Sequence, residues 1–143
     1  MEHPELVERI RALLPSRTIG RLDLLPVFAD APLFDRIVRT LAAPHRNGVD
    51  LVAAPEAIGW ILGTALAGRL GAGFLGIRKG GRLPYPQDLL MAESFTDYTG
   101  QEKTFEIPAG LRLDGKRVLV ADEWIETGAQ LQAMCDLLER TGA

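Results

Sequence analysis

Arg117-Val118-Leu119-Val120-Ala121-Asp122-Glu123-Trp124-Ile125-Glu126-Thr127-Gly128-Ala129-Gln130 holds the decisive pattern of this chain. An apolar run ends in two adjacent acids. A turn with a Thr-Gly pair follows, and Leu131, Met134 and Leu138 then repeat at helical spacing. The order strand, acid pair, small polar turn, helix suits a sugar phosphate. The helix N-terminus offers unpaired N–H groups and a partial positive charge to the phosphate. The carboxylates just upstream can take sugar hydroxyls or a hydrated metal ion. A buried parallel strand also ends in an acid simply where the chain reaches water. The Thr-Gly pair favours the ligand reading, because glycine lets backbone approach a bound group closely.

Working outward, Val49 to Ala54 is a continuous apolar run, as in a strand covered on both faces. Glu56-Ala57-Ile58-Gly59 forms a short loop, and Trp60 to Leu70 a helix capped by Gly71. Ala72 to Ile77 reads as the next strand. It breaks into the basic, glycine-rich turn Arg78-Lys79-Gly80-Gly81-Arg82. Leu89 to Phe95 alternates weakly and pairs with Lys103 to Ile107 around Asp97-Tyr98-Thr99-Gly100, giving a two-stranded flap. Long excursions of this kind serve as lids more often than as filler. Arg117 to Ala121 is the third buried strand and Gly128 to Arg140 the last helix. Upstream, Pro4 to Leu14 and Ala31 to Ala43 read as amphipathic helices joined by a mixed connector, Arg17 to Pro26. The element order predicts an α/β fold with a mostly parallel, Rossmann-like sheet, residues 1–143 forming a single domain with a flexible flap at 84–105.

At 143 residues the chain can bury a genuine core. No apolar run approaches the roughly 20 residues that span a bilayer. The acidic start Met1-Glu2-His3-Pro4-Glu5 lacks the features of a secretory leader. A net charge of −3 gives no electrostatic case for nucleic acid. Cys135 is the single cysteine, so no internal disulfide exists, which fits a reducing cytoplasm. Its helical neighbours make it a small core residue. His45 follows a helix end with no second candidate ligand nearby, so a capping role is expected. Trp60 is expected to pack helix on sheet. Trp124 either covers the ligand or shields its own loop.

Ligands of open α/β sheets bind beyond the carboxyl ends of the strands. Three loops leave such ends here: Pro55 to Gly59, Arg78 to Arg82, and Asp122 to Gly128. They offer two anion sites flanking a pair of carboxylates. That layout suits a ligand with phosphate at one end, pyrophosphate at the other, and ribose with Mg²⁺ between.

On these motifs, from Leu24-Leu25-Pro26-Val27-Phe28 to the C-terminus, the chain resembles the type I phosphoribosyltransferases, closest to the adenine and xanthine (purine) enzymes. The resemblance implies transfer of phosphoribosyl from phosphoribosyl pyrophosphate to a purine-like base, in purine salvage, by a cytoplasmic homodimer without nucleic-acid or membrane partners. It implies that Asp122 and Glu123 contact the ribose hydroxyls. Glu126, Thr127, Gly128, Ala129 and Gln130 would wrap the 5-phosphate. Glu56, Ala57, Ile58 and Gly59 would form the pyrophosphate loop, joined by Arg78 and Lys79. Asp97 and Tyr98 in the hood would stand beside the base as the catalytic pair. Mg²⁺ would be bound mainly through the substrate's pyrophosphate, with no metal ligand set of the protein's own.

Several positions depart from the family pattern. Glu123 stands where the family has Asp, Glu126 where the adenine enzymes have a small residue, Gln130 where a hydroxyl residue is usual, and Ile58 where the adenine enzymes carry Arg. Arg21 to Leu25 does not reproduce their base-contacting segment. The family also continues with another strand and helix, so the resemblance implies a missing C-terminal strand. These departures keep a second function open: a non-catalytic domain of the same fold that senses phosphoribosyl pyrophosphate or a nucleotide. A third is a degenerate partner-binding remnant. A receiver-like signalling domain would need its acid pair near the first strand, whereas here it comes last.

Overall fold

The computed structural model describes residues 3–16 and 22–143. The chain forms two compact units, residues 1–44 and 45–143. In the first, three helices pack together: α1 (Pro4–Leu13), α2 (Leu25–Ala29) and α3 (Ala31–Ala42). Leu6, Val27 and Leu33 form its buried centre, with Ile10, Leu13, Leu24 and Ile37 against them. Asp30 starts α3 by accepting the Leu33 amide at 3.0 Å, and Arg9 on α1 grips the same carboxylate at 2.8 Å. The short α2 replaces the end of the expected connector, because Pro26 sits in the helix's first turn, where its missing N–H costs nothing. Arg17 to Arg21, within that connector, lie outside the described residues.

The second unit is a five-stranded sheet with a helix on each face. Its strands are β1 (Leu51–Pro55), β2 (Gly73–Lys79), β3 (Leu90–Thr96), β4 (Glu102–Pro108) and β5 (Val118–Val120), in spatial order β3-β4-β2-β1-β5. β1 pairs in parallel with β2 (Leu51↔Gly73) and with β5 (Leu51↔Val118). The predicted parallel core is therefore present. The flap strands, however, do not stand apart from it. β2 runs two residues beyond the expected end at Ile77, and this extension pairs antiparallel with β4 through Arg78↔Glu106 and Lys79↔Phe105. The hairpin thus continues the sheet, which is mixed.

Helix α4 (Gly59–Leu70) covers β1 and β2 on one face. It lies unusually close. A Cβ on Gly63 would stand 2.6 Å from the Ala54 Cβ and 2.9 Å from the Phe74 ring, so only glycine permits this approach. On the other face, α5 (Ala129–Glu139) brings Ala133, Met134, Leu137 and Leu138 against Ala53, Ile77, Phe105 and Ile107, all buried. Arg140, just past α5, donates to the Ala92 carbonyl at 2.8 Å and to Glu93 at 3.1 Å, tying the helix end to β3. Cys135 is half-buried on α5, where burial raises its thiol pKa.

Candidate active site

Since β1, β2 and β5 run parallel, the loops that follow them open at one edge of the sheet. Side chains tie these loops together. A Cβ on Gly59, in the first loop, would stand only 3.3 Å from Asp122 Oδ1 in the third. Glu56 in the first loop meets Arg78 at the end of β2, with Arg78 Nε 2.8 Å from Glu56 Oε2. The Lys79 amide donates to Glu56 Oε1 at 3.2 Å. The peptide bond between Glu56 and Ala57 is cis.

Asp122 lies where β5 ends, half-buried. Its Oδ1 accepts the Glu123 amide at 2.9 Å, and its Oδ2 accepts Gln130 Nε2 from the first turn of α5 at 2.5 Å. Burial, followed by the neighbouring Glu123 carboxylate, pushes the Asp122 carboxyl up to about 7. Glu123 Oε2 is buried without a hydrogen-bond partner among the described residues. Such an acceptor carries a desolvation cost that a donor on a bound ligand would relieve. Thr127 Oγ1 accepts the Ala129 amide at 3.3 Å, and Gly128 begins α5 with φ +83°. Ile125, Glu126 and Thr127 face solvent. Trp124 is half-buried within the same loop.

The structure therefore gathers Glu56, Gly59, Arg78, Lys79, Asp122, Glu123 and Gln130 at one edge, with Ala57 and Ile58 exposed on the first loop. Asp97 and Tyr98 are placed differently. They cap the β3–β4 hairpin, which extends past the last β2 pairing by about four residues, roughly 13 Å. The Asp97 carboxylate is engaged within its own turn. It accepts from the Thr99 amide (2.8 Å), the Thr99 hydroxyl (2.5 Å) and the Gln101 amide (3.1 Å). The Thr99 hydroxyl bond, foremost, lowers its pKa. Tyr98 is half exposed at the tip.

Two features escaped the sequence reading. Glu106 is buried in β4, and its carboxylate accepts the Gly81 amide at 2.9 Å, fixing the basic turn after β2. An acid between the apolar Phe105 and Ile107 was the available signal. The other is the Arg78 guanidinium, whose carbon lies 5.3 Å from the centroid of the Trp60 ring. That contact joins residues 18 positions apart and has no local sequence signature.

Sheet order, helix placement and loop edge together are those of a type I phosphoribosyltransferase. The chain matches no family model. It is 43% identical over 130 residues to the adenine phosphoribosyltransferase of Mycobacterium avium, covering 90% of this chain and 69% of that one. The solved adenine phosphoribosyltransferase of Rhodothermus marinus superimposes with a TM-score of 0.84 at 31% identity, over 98% of this chain and 81% of that one. The Saccharomyces cerevisiae enzyme, solved with an imino-altritol bisphosphate and adenine, gives a TM-score of 0.81 at 25% identity, over 97% and 83%. The chain belongs to the adenine phosphoribosyltransferase family.

Proposed function

We propose that this protein transfers the phosphoribosyl group of phosphoribosyl pyrophosphate to a purine base, adenine first among candidates, forming the nucleotide and releasing pyrophosphate. The observation that carries this reading is the junction of three strand-end loops around Asp122. A relative 43% identical and named adenine phosphoribosyltransferase supports it. In this reading Asp122 and Glu123 accept hydrogen bonds from the ribose hydroxyls, the buried Glu123 Oε2 gaining the donor it lacks. The turn Glu126 to Gln130 and the α5 N-terminus hold the 5-phosphate. Pyrophosphate lies between the Glu56–Gly59 loop and the Arg78–Lys79 exit of β2. Asp97 and Tyr98 reach the base when the hairpin tip approaches.

Bond breaking at C1 of the ribose puts positive charge on the sugar ring and negative charge on the departing pyrophosphate. Fixed carboxylates near the former and cations near the latter stabilise that separation. Among the described residues no group of three or more His, Cys, Asp or Glu could hold a metal. Mg²⁺ would arrive with the substrate's pyrophosphate and would supply charge neutralisation to the leaving group. The remaining expectations, a homodimer working in the cytoplasm, belong to this proposal. No described helix is long and apolar enough to cross a membrane.

The test is to incubate the protein with adenine, phosphoribosyl pyrophosphate and Mg²⁺ and to follow AMP by chromatography, with calorimetry of phosphoribosyl pyrophosphate alongside. AMP formation that depends on Asp122 supports the reading. Tight binding without turnover on any base of a purine panel establishes the sensor instead, and no binding refutes both.

A further inference from the structure

Glu106 is the only charged residue buried among those described, 4% exposed in β4. Its neighbours Phe105 and Ile107 belong to the core beneath α5. By the alternation of a strand, Glu106 therefore points to the opposite face, the one on which α4 covers β1 and β2. Burial of a carboxylate is costly unless hydrogen bonds offset it. Arg78 stands across the ladder, but its guanidinium turns to Glu56 and Trp60. Glu106 engages main chain instead. Its Oε2 accepts the Gly81 amide at 2.9 Å, and its Oε1 lies 3.7 Å from where a Cβ on Gly80 would stand.

The geometry of the turn calls for that acceptor. The last ladder pair of β2 is at Lys79, and the Gly80 amide extends the pattern by donating to the Thr104 carbonyl at 2.9 Å. Gly81 then leaves the sheet with φ +74°, a conformation that suits glycine, and its N–H goes to Glu106. Gly80 also packs close: a Cβ there would stand 3.2 Å from the Thr104 Cβ. The turn is thus pinned to the base of β4. The hairpin tip is built separately. Its ladder runs from Leu90↔Pro108 to Thr96↔Glu102, and Asp97 closes it by its own hydrogen bonds.

Resting on the proposed transferase reading, we propose that Glu106 is a positioning residue: its carboxylate holds the turn Gly80–Arg82 on the base of β4 and so sets where the cationic edge of the sheet meets phosphoribosyl pyrophosphate. It acts through the turn and not on the substrate itself. Its removal frees the turn and leaves the hairpin tip in place, so the effect falls on phosphoribosyl pyrophosphate and not on the base.

Glu106→Gln keeps an acceptor of the same length, whereas Glu106→Met keeps the bulk and removes the acceptor. In steady-state AMP formation by the full chain, Glu106→Met is expected to raise KM for phosphoribosyl pyrophosphate about tenfold, the value of one hydrogen bond to a carboxylate. Its KM for adenine and its kcat should stay within about twofold of wild type, and Glu106→Gln should stay within about threefold throughout, since the acceptor survives. Calorimetry of Mg²⁺–phosphoribosyl pyrophosphate should give the same ratios. Without ligand, hydrogen exchange of the Gly81 amide should quicken at least tenfold in Glu106→Met and not in Glu106→Gln, with the amides of β4 unchanged. Gly80→Val presses a side chain onto Thr104 and lifts the turn while the carboxylate remains. It should move KM and Gly81 exchange in the same directions, and it carries the test where Glu106→Met does not fold. Wild-type KM in Glu106→Met, a fall in kcat alone, Glu106→Gln as impaired as Glu106→Met, or unaltered Gly81 exchange overturns the proposal. A wild-type protein that neither forms AMP nor binds phosphoribosyl pyrophosphate refutes the transferase reading itself and the positioning role with it, an outcome distinct from failure of the variants alone.

Discussion

Asp122→Asn should stabilise the ligand-free protein while destroying its site, and the stabilisation should depend on pH. The folded structure moves this carboxyl from its ordinary 3.8 up to about 7, foremost through burial and then through Glu123. A group raised in this way binds more protons folded than unfolded between those two values. Stability therefore falls as pH rises from about 4 to about 7 and is flat beyond. Each tenfold change in proton affinity is worth about 1.4 kcal/mol, which sets a ceiling of about 4 kcal/mol. The side chain is only half-buried, and solvent screening reduces this to about 1–2 kcal/mol. Asparagine shares the neutrality of the protonated acid: its oxygen can still accept from Gln130, while its amide replaces the oxygen that accepts the Glu123 amide, a loss that offsets part of the gain. In thermal unfolding at pH 8 the variant should therefore melt about 3–8 °C above wild type. The gap should narrow towards pH 4 and close at about pH 3, below both values, where wild-type Asp122 is protonated in both states. Taking the difference between the two proteins at each pH cancels the carboxylates whose pKa is lowered, Asp30, Asp97 and Asp114. Calorimetry should show the same variant losing phosphoribosyl pyrophosphate, since its amide cannot replace a charged acceptor. A variant less stable than wild type at pH 8, or a gap that ignores pH, would refute the argument that folding penalises this carboxylate.

Lys79→Ala should weaken Mg²⁺–phosphoribosyl pyrophosphate binding about tenfold, roughly the value of one charge-assisted hydrogen bond, with unfolding by denaturant unchanged because the side chain is exposed. Gly63→Ala forces a methyl into the Ala54–Phe74 contact and should cost about 1–3 kcal/mol. Gly68→Ala on the same helix, with open space around its Cα, should instead stabilise by about 0.5–1 kcal/mol. Urea titration of the pair checks the sign in each case. Phe105, 1% exposed in β4, should cost about 3–5 kcal/mol when truncated to Ala, which would show by denaturant unfolding that the hairpin belongs to the sheet's core.

What the sequence disclosed follows from the range of the forces involved. The apolar run before Asp122, the stripes of α3 and α5, and the turn residues Asp97 and Gly100 are local patterns, and each forecast its element within a residue or two. The Thr-Gly pair located the start of α5 for the same reason. The pairing of β2 with β4 was not legible, because Arg78 and Lys79 read as the start of a basic turn while they in fact carry the ladder to Glu106 and Phe105. Helix α2 was missed since five residues offer no periodicity to detect. At the site, the sequence could place carboxylates and cations at strand ends. It could not show that one cation is consumed by Glu56, nor that Gln130 turns back onto Asp122.

That last contact bears on the departures from the family pattern. Gln130 does not stand idle in the phosphate turn; its amide spans from the first turn of α5 to the half-buried acid at the end of β5. The donor opposes the effects of burial and of Glu123, and so favours the ionised form of Asp122. A hydroxyl residue at the same place is shorter by two heavy atoms and could not reach as far. The neighbouring Glu123 carboxylate raises the proton affinity of Asp122, while Gln130 lowers it. Glu123 and Gln130 thus act on one carboxylate with opposite sign.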